Sequence, residues 1–299
     1  EMEKDGYDRG YATGLTASAG LLGPIIPPSM VFIIYGVIAQ VSIAEMFMAG
    51  IMPGIALFLL ILVIALWQAG RSRQSGHPGA PLPTGSRIAA TIPGLATMVI
   101  PLVIVGGISA GVFTPTESAA VAIFVALLFG AVVFRELPLK SIPVIIDRTV
   151  TNTAIVLFLI MAAKVFGWVL TFNQVPQGVA AFIASLTQDP TMFMLLIVAA
   201  LMVVGMFLDG IAALIILTPI LLPVAVNNYG IDPIQFGVMM SLTLVLGLLT
   251  PPVGTGLYIA AALSGIPIMR LSRIVLPYVL ATIAVILLVV FLPWMVRPF

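Results

Sequence analysis

The sequence predicts an all-α integral membrane protein built as an inverted repeat, with two broken helices and a re-entrant hairpin. Three observations carry that prediction. Of 299 residues, 61% are hydrophobic and 8% charged, against roughly 25% charged in soluble domains, and the mean hydropathy is +1.24. Two apolar runs long enough to cross a bilayer each hold a Pro-Pro pair near the middle, Leu22-Gly23-Pro24-Ile25-Ile26-Pro27-Pro28-Ser29 and Leu246-Gly247-Leu248-Leu249-Thr250-Pro251-Pro252-Val253-Gly254-Thr255. A shift of 224 positions lays one run on the other without a gap. Gly6, Asp8, Leu22, Gly23, Pro27, Pro28 and Pro53 then fall on Gly230, Asp232, Leu246, Gly247, Pro251, Pro252 and Pro277, seven identities over 48 positions. The matched residues are those that set backbone shape.

Composition excludes several classes. A net charge of +1 gives no footprint for nucleic acid. There is no cysteine, so thiol chemistry, disulfides and Cys-based metal sites are absent. The one histidine, His77, sits in a Gly/Pro/Ser/Arg loop, which excludes a multi-histidine site. Short alternating strands of the β-barrel kind are missing. The opening Glu1-Met2-Glu3-Lys4-Asp5 is neither a start nor a signal peptide. The second copy of the repeat is preceded by spans and a hairpin-like segment, and their counterparts for the first copy would lie before residue 1. The expectation is therefore an N-terminally truncated chain that has lost its first hairpin.

Spans of about 20 apolar residues and the excess of Lys and Arg on the cytoplasmic side set the expected layout. Residues 1–68 end the first repeat, with a broken helix over 10–40 and a span over 44–68. A cytoplasmic loop covers 69–87. Residues 88–299 form the second repeat. Its parts are scaffold spans within 88–134, a connecting region 135–189, a hairpin 190–226, a broken helix 233–264 and a last span 271–296. Thr114-Pro115-Thr116-Glu117 has the form of a capping box with Pro at the first helical position. With this layout Lys4, Arg9, Arg71, Arg73, Arg87, Arg135, Lys140, Arg148, Arg270 and Arg273 share one side, leaving Lys164 and Arg297. Reading 190–226 as two full spans would move Arg270 and Arg273 to the other side. The same bookkeeping runs the first broken helix outward and the second inward.

An unwound segment in lipid leaves backbone groups unpaired at several kcal/mol each. Chains tolerate it where backbone lines a cavity, and paired breaks point to a transporter's binding site. Freed carbonyls at the breaks can ligate a small cation. Gly23, Gly247 and Gly254 allow close approach, Pro27 removes a donor, and Ser29, Thr250 and Thr255 add hydroxyl oxygens. Such oxygen sets suit Na⁺; the competing reading is a pair of structural Pro kinks. Asp209 and Gly210 mark the hairpin tip. Asp209 has two readings, a cation ligand or the N-cap of the second arm. Glu117 reads as a cap rather than a proton carrier. Lys164 lies within a span, where it either snorkels or faces a subunit or cavity. The methionines read as packing residues. An intramembrane enzyme would need a catalytic constellation that the chain lacks, and a passive channel would need a ring of charges or a repeated filter.

Four ordered strings resemble the large membrane subunit of tripartite ATP-independent periplasmic (TRAP) transporters. They are Gly6-Tyr7-Asp8 with 23–29; Gly111-Val112-Phe113-Thr114-Pro115-Thr116-Glu117; Thr218-Pro219-Ile220-Leu221-Leu222-Pro223 with Gly230-Ile231-Asp232-Pro233; and Gly247-Leu248-Leu249-Thr250-Pro251-Pro252-Val253-Gly254. The resemblance covers essentially the whole chain. It implies an elevator-type secondary transporter of the bacterial or archaeal inner membrane, in which two hairpins and two broken helices slide against a scaffold. It implies uptake driven by a Na⁺ gradient and no other metal. A periplasmic substrate-binding protein would deliver an organic acid such as a C4-dicarboxylate or a sialic acid. A small four-helix membrane subunit would extend the scaffold. Carried over, the cation and substrate region would involve Gly23, Pro27 and Ser29, Asp209 and Gly210, and Gly247, Thr250, Gly254 and Thr255. The alternative is a binding-protein-independent Na⁺/carboxylate symporter of the same broad architecture.

Overall fold

The computed structural model describes residues 2–3, 6–72, 98–135, 137–252 and 254–297. Arg73, His77 and Arg87, and the first residues of the span expected from 88, lie outside them. No strand occurs among the described residues. Those residues form twelve α-helices, in order α1 (Arg9–Ala19), α2 (Met30–Ala39), α3 (Ile43–Ser72), α4 (Val99–Ser109), α5 (Pro115–Leu128), α6 (Ile142–Phe172), α7 (Val175–Leu186), α8 (Pro190–Phe207), α9 (Gly210–Tyr229), α10 (Pro233–Gly247), α11 (Thr255–Ser264) and α12 (Ile268–Phe291). Among the described residues six helices, α3, α5, α6, α8, α9 and α12, are long and apolar enough to cross a membrane. The protein is a multi-pass, all-α membrane protein.

Local sequence sets most helix ends. Asp8, Asp189, Asp209 and Asp232 cap α1, α8, α9 and α10, each accepting from a backbone N–H of the first turn. Thr114 and Glu117 cap α5 reciprocally: Glu117 N–H donates to Thr114 Oγ1 at 3.3 Å, and Thr114 N–H donates to Glu117 Oε2 at 2.8 Å. Proline occupies the first turn of α5, α8 and α10, where its missing N–H costs nothing. Pro219 and Pro223 lie inside α9, which continues through them while Thr218 Oγ1 donates back to the Leu214 carbonyl at 2.6 Å.

The chain forms two compact units, residues 81–164 and residues 1–80 with 165–299. In the smaller unit α4 packs on α5. In the larger unit α10 is the centre. It contacts α8, α9, α12, α3 and α2, and every residue from Ile234 to Gly247 is buried. Lipid supplies no hydrophobic drive for helices to associate, so close packing and hydrogen bonds hold such a unit. Phe193 of α8 stacks on Tyr229 at 4.2 Å and lies 6.5 Å from Phe236. Gln235 donates to the Val289 carbonyl of α12 at 2.9 Å, and Tyr35 of α2 donates to the Pro233 carbonyl at 2.7 Å.

Candidate functional site

Both expected breaks are real interruptions of helix. The first separates a 3₁₀ turn, Gly20–Leu22, from α2; the second separates α10 from α11. Both Pro-Pro bonds, 27–28 and 251–252, are cis. The 224-residue offset holds in three dimensions. α1 and α10 begin at Arg9 and Pro233, each after an Asp cap, and Gly6 and Gly230 both take positive φ, 85° and 64°.

The two broken helices enter the unit from opposite ends of α12. At its start, Asp8 pairs with Arg270 at 4.0 Å, and Gln68 beside the start of α1 reaches Ile274 and Tyr278. Past its other end, Arg297 pairs with Asp232, the cap of α10. A helix of 24 residues separates these ends by about 36 Å.

The α8–α9 tip meets the second break. Residues at the start of α8 lie beside the start of α10, and residues at its end lie beside the end of α10. A Cβ on Gly247 would come within 2.7 Å of Gly205 Cα, and one on Gly210 would lie 3.3 Å from the Leu244 carbonyl oxygen. Only glycine permits the Gly205–Gly247 approach. The chain thus turns back at the level where α10 ends, while α11 continues for ten residues beyond.

The predicted site residues separate into two groups. Gly210, Gly247, Thr250 and Gly254 gather around the second break. Thr250 is 8% exposed and its Oγ1 donates to the Leu246 carbonyl at 2.9 Å. Gly254 caps α11 with no side-chain hydrogen bond. A Cβ there would lie 2.8 Å from the carbonyl oxygens of both Leu248 and Thr250. Two backbone oxygens therefore crowd the space that Gly254 leaves open by having no side chain. Thr255 is exposed on the first turn of α11. Asp209 is exposed, and its Oδ1 accepts from Ile211 and Ala212 at 3.0 and 3.3 Å, so capping accounts for that oxygen. Gly23, Pro27 and Ser29 belong to the first break. Ser29 is fully buried, caps α2 by accepting from Phe32 N–H at 3.3 Å, and donates to the Pro24 carbonyl. Gly23 has right-handed φ and ψ, and a Cβ there would meet only the Gly20 carbonyl at 3.7 Å.

A cavity of about 660 Å³ joins the edges of the two breaks. Gly20 and Leu21 line it from the first, Leu248 and Leu249 from the second, with Thr16 and Ser264 on its walls. Sequence reasoning missed Gly205, because a glycine inside a helix reads only as a propensity cost. It also missed the Leu248 carbonyl, because backbone oxygens carry no letter. Thr16 was invisible for another reason: only the pairing of α1 with α11 makes it a wall.

Comparison with known proteins identifies a family. Residues 1–295 match the family described as tripartite ATP-independent periplasmic transporter, DctM component. The chain is 37% identical over 290 residues to a sialic acid TRAP transporter large permease protein of Vibrio cholerae, covering 96% of this chain and 66% of that protein. It is 36% identical to an isethionate TRAP transporter permease protein of Oleidesulfovibrio alaskensis, covering 98% of this chain and 46% of that protein. It is 36% identical to a 2,3-diketo-L-gulonate TRAP transporter large permease protein of Escherichia coli, covering 98% and 68%. The chain thus spans about two thirds or less of the length of these relatives. With its paired breaks and its apolar helices, this chain belongs to the DctM family of TRAP transporter permeases and is a multi-pass protein of the inner membrane.

Proposed function

We propose that this chain is most of the large permease of a Na⁺-coupled, binding-protein-dependent importer of an organic acid. The observation that carries the reading is the pair of helix breaks, entering from opposite ends of α12 and edging one cavity. Inverted broken helices whose freed backbone faces a shared space suit alternating access.

The second break is the better cation site. The Leu248 and Thr250 carbonyls each accept one backbone N–H, from Leu257 and Gly254 at 3.1 Å. Each keeps a second lone pair for Na⁺. The α8–α9 tip stops level with this break, which supports a hairpin that enters and leaves on one side. With the first hairpin that the resemblance implies, α1 would be covered as α10 is. Thr16 and Gly20, which line the cavity, are the counterparts of Met240 and Leu244, which contact α9. Two such hairpins and two breaks make a mobile block for an elevator. A small four-helix membrane subunit and a periplasmic binding protein complete the transporter.

The relatives are named for a sialic acid, isethionate and diketogulonate at nearly equal identity. These names support an organic acid as the substrate class without choosing among its members, C4-dicarboxylates included.

The test is uptake of a labelled organic acid by liposomes holding the full-length permease, its small partner and the loaded binding protein. Accumulation should require an inward Na⁺ gradient and the binding protein. Accumulation indifferent to Na⁺ removes the coupling; accumulation without soluble protein favours the binding-protein-independent symporter. Asp209→Asn separates the two readings of that residue, since Asn caps a helix as well as Asp does. A cation ligand predicts weaker Na⁺ activation with unchanged stability. Unchanged activation leaves Asp209 as a cap alone.

A further inference from the structure

We infer that Gly50 of α3 is a positioning residue for the first break: its bare Cα seats the buried Ile25 carbonyl, an oxygen that no N–H or O–H claims and that is free to ligate a coupling cation. The inference rests on the Na⁺-coupled reading above and adds to it a residue on a helix outside both breaks. The sequence first removes the donors. A carbonyl in a turn is met by an N–H three or four positions on. Pro27 and Pro28 have no N–H, so Pro24 loses both of its donors and Ile25 loses the nearer one. Ser29 Oγ donates to the Pro24 carbonyl instead. The Leu22 carbonyl takes the N–H groups of Ile25 and Ile26 at 3.1 and 2.8 Å. The Ile25 carbonyl accepts no hydrogen bond among the described residues, and Ile25 is fully buried.

Buried carbonyls are nearly always paired, and one left over in a core calls for another positive partner. The repeat leaves the same carbonyl over a second time. Ile25 falls on Leu249 with the 224-residue offset. Leu249 is 2% exposed, and its carbonyl also accepts no hydrogen bond among the described residues. The two breaks have different neighbours, α3 at the first and the α8–α9 tip at the second. Packing against one particular helix therefore does not account for the match.

α3 holds the first of these oxygens in place. Gly50 and Gly54 stand on either side of Pro53 in that helix, and the first break lies against both. A Cβ on Gly50 would overlap the fully buried Phe32 ring and would stand 3.1 Å from the Ile25 oxygen. The carbonyl would have to give by a few tenths of an ångström. A Cβ on Gly54 would stand 3.0 Å from Ile26 Cγ1, and its three nearest atoms are all carbon. Gly50 thus touches the break through packing and through an oxygen, Gly54 through packing alone. Pro53 also deprives the Ala49 carbonyl, in the peptide next to Gly50, of its usual helical donor, and Ala49 is 1% exposed. A shift of tenths of an ångström is small for packing. It is large for a ligand set, which works only within a narrow tolerance.

The experiment measures how much Na⁺ half-saturates organic-acid uptake by liposomes holding the full-length permease, its small partner and the loaded binding protein. Thermal unfolding of each variant in detergent is measured beside it. Gly50→Ala is combined with Phe32→Leu, which clears the ring from the new methyl group and leaves the contact with the Ile25 oxygen. The double variant should unfold at the same temperature as Phe32→Leu alone. It should need at least about fivefold more Na⁺ for half-saturation, as for a weakened bond to a charged group. At saturating Na⁺ its rate should match that of Phe32→Leu. Gly54→Ala should leave the Na⁺ requirement unchanged. If the double variant does not fold, Gly50→Ala with Phe32→Ala gives the methyl group more room and the same comparison. Equal Na⁺ requirements with and without Gly50→Ala overturn the inference and leave the coupled reading standing. So does an equal rise in Gly54→Ala, which meets no oxygen. Wild-type uptake indifferent to Na⁺ overturns the coupled reading and this inference together.

Discussion

α10 is buried from Ile234 to Gly247, whereas its counterpart α1 buries Gly10, Tyr11, Gly14 and Ser18 and leaves its other face on a cavity. The two helices share an Asp cap, a closing glycine and a following cis Pro-Pro bond. They differ in what lies against them. α8 and α9 cover α10, and nothing among the described residues covers the equivalent side of α1. Shared residues therefore set where the helix begins and breaks, and neighbours set what the helix is worth energetically.

The largest expected contrast compares Met240 with its counterpart Thr16. Met240 is fully buried against α9, so Met240→Ala should cost about 2–5 kcal/mol through an unfilled cavity. Thr16 is exposed and donates to its own helix at 2.8 Å, so Thr16→Ala should change stability by less than about 0.5 kcal/mol. Thermal unfolding of the two variants in detergent measures both. Equal losses would mean that α1 carries as much cover as α10, and the contrast would fail.

The next contrast compares Gly247 with Gly23. Gly247→Ala forces a methyl group into the Gly205 backbone and should cost about 1–3 kcal/mol. Hydrogen exchange should rise first at the α8–α9 tip. Gly23→Ala meets only one carbonyl at 3.7 Å and should be nearly neutral. Protection at the tip that survives Gly247→Ala would show that the close approach does not hold the hairpin.

The smallest contrast lies between the two break hydroxyls. Ser29→Ala removes the cap of α2 and should cost about 1 kcal/mol. Thr250→Val removes only a bond to the Leu246 carbonyl within its own helix end, and should cost less. A larger loss at Thr250 in Na⁺ than in K⁺ would sharpen the comparison differently, by giving its oxygen to the cation.

Much of this architecture is local and so is legible in the sequence. Pro27-Pro28 and Pro251-Pro252 cannot continue a helix, and Thr114 with Glu117 caps α5 within four residues. Asp8 and Asp232 cap their helices without help from any other element. The opposite directions of the two breaks were readable from the side on which Arg270 and Arg273 had to lie. The site was less legible. Asp209 looked the same as cap or ligand, and the geometry gives one of its oxygens to backbone N–H groups. Gly205 gained its meaning only when folding placed it on Gly247.

The sequence alone determined the membrane class, the helix breaks and the internal repeat, because hydropathy, missing N–H donors and caps act within a few residues. Only the tertiary structure decided that Leu248 and Thr250 aim two carbonyl oxygens at Gly254, and that one cavity joins both breaks. Those features depend on helices distant in sequence coming within van der Waals contact. No local pattern records which backbone atoms will meet there.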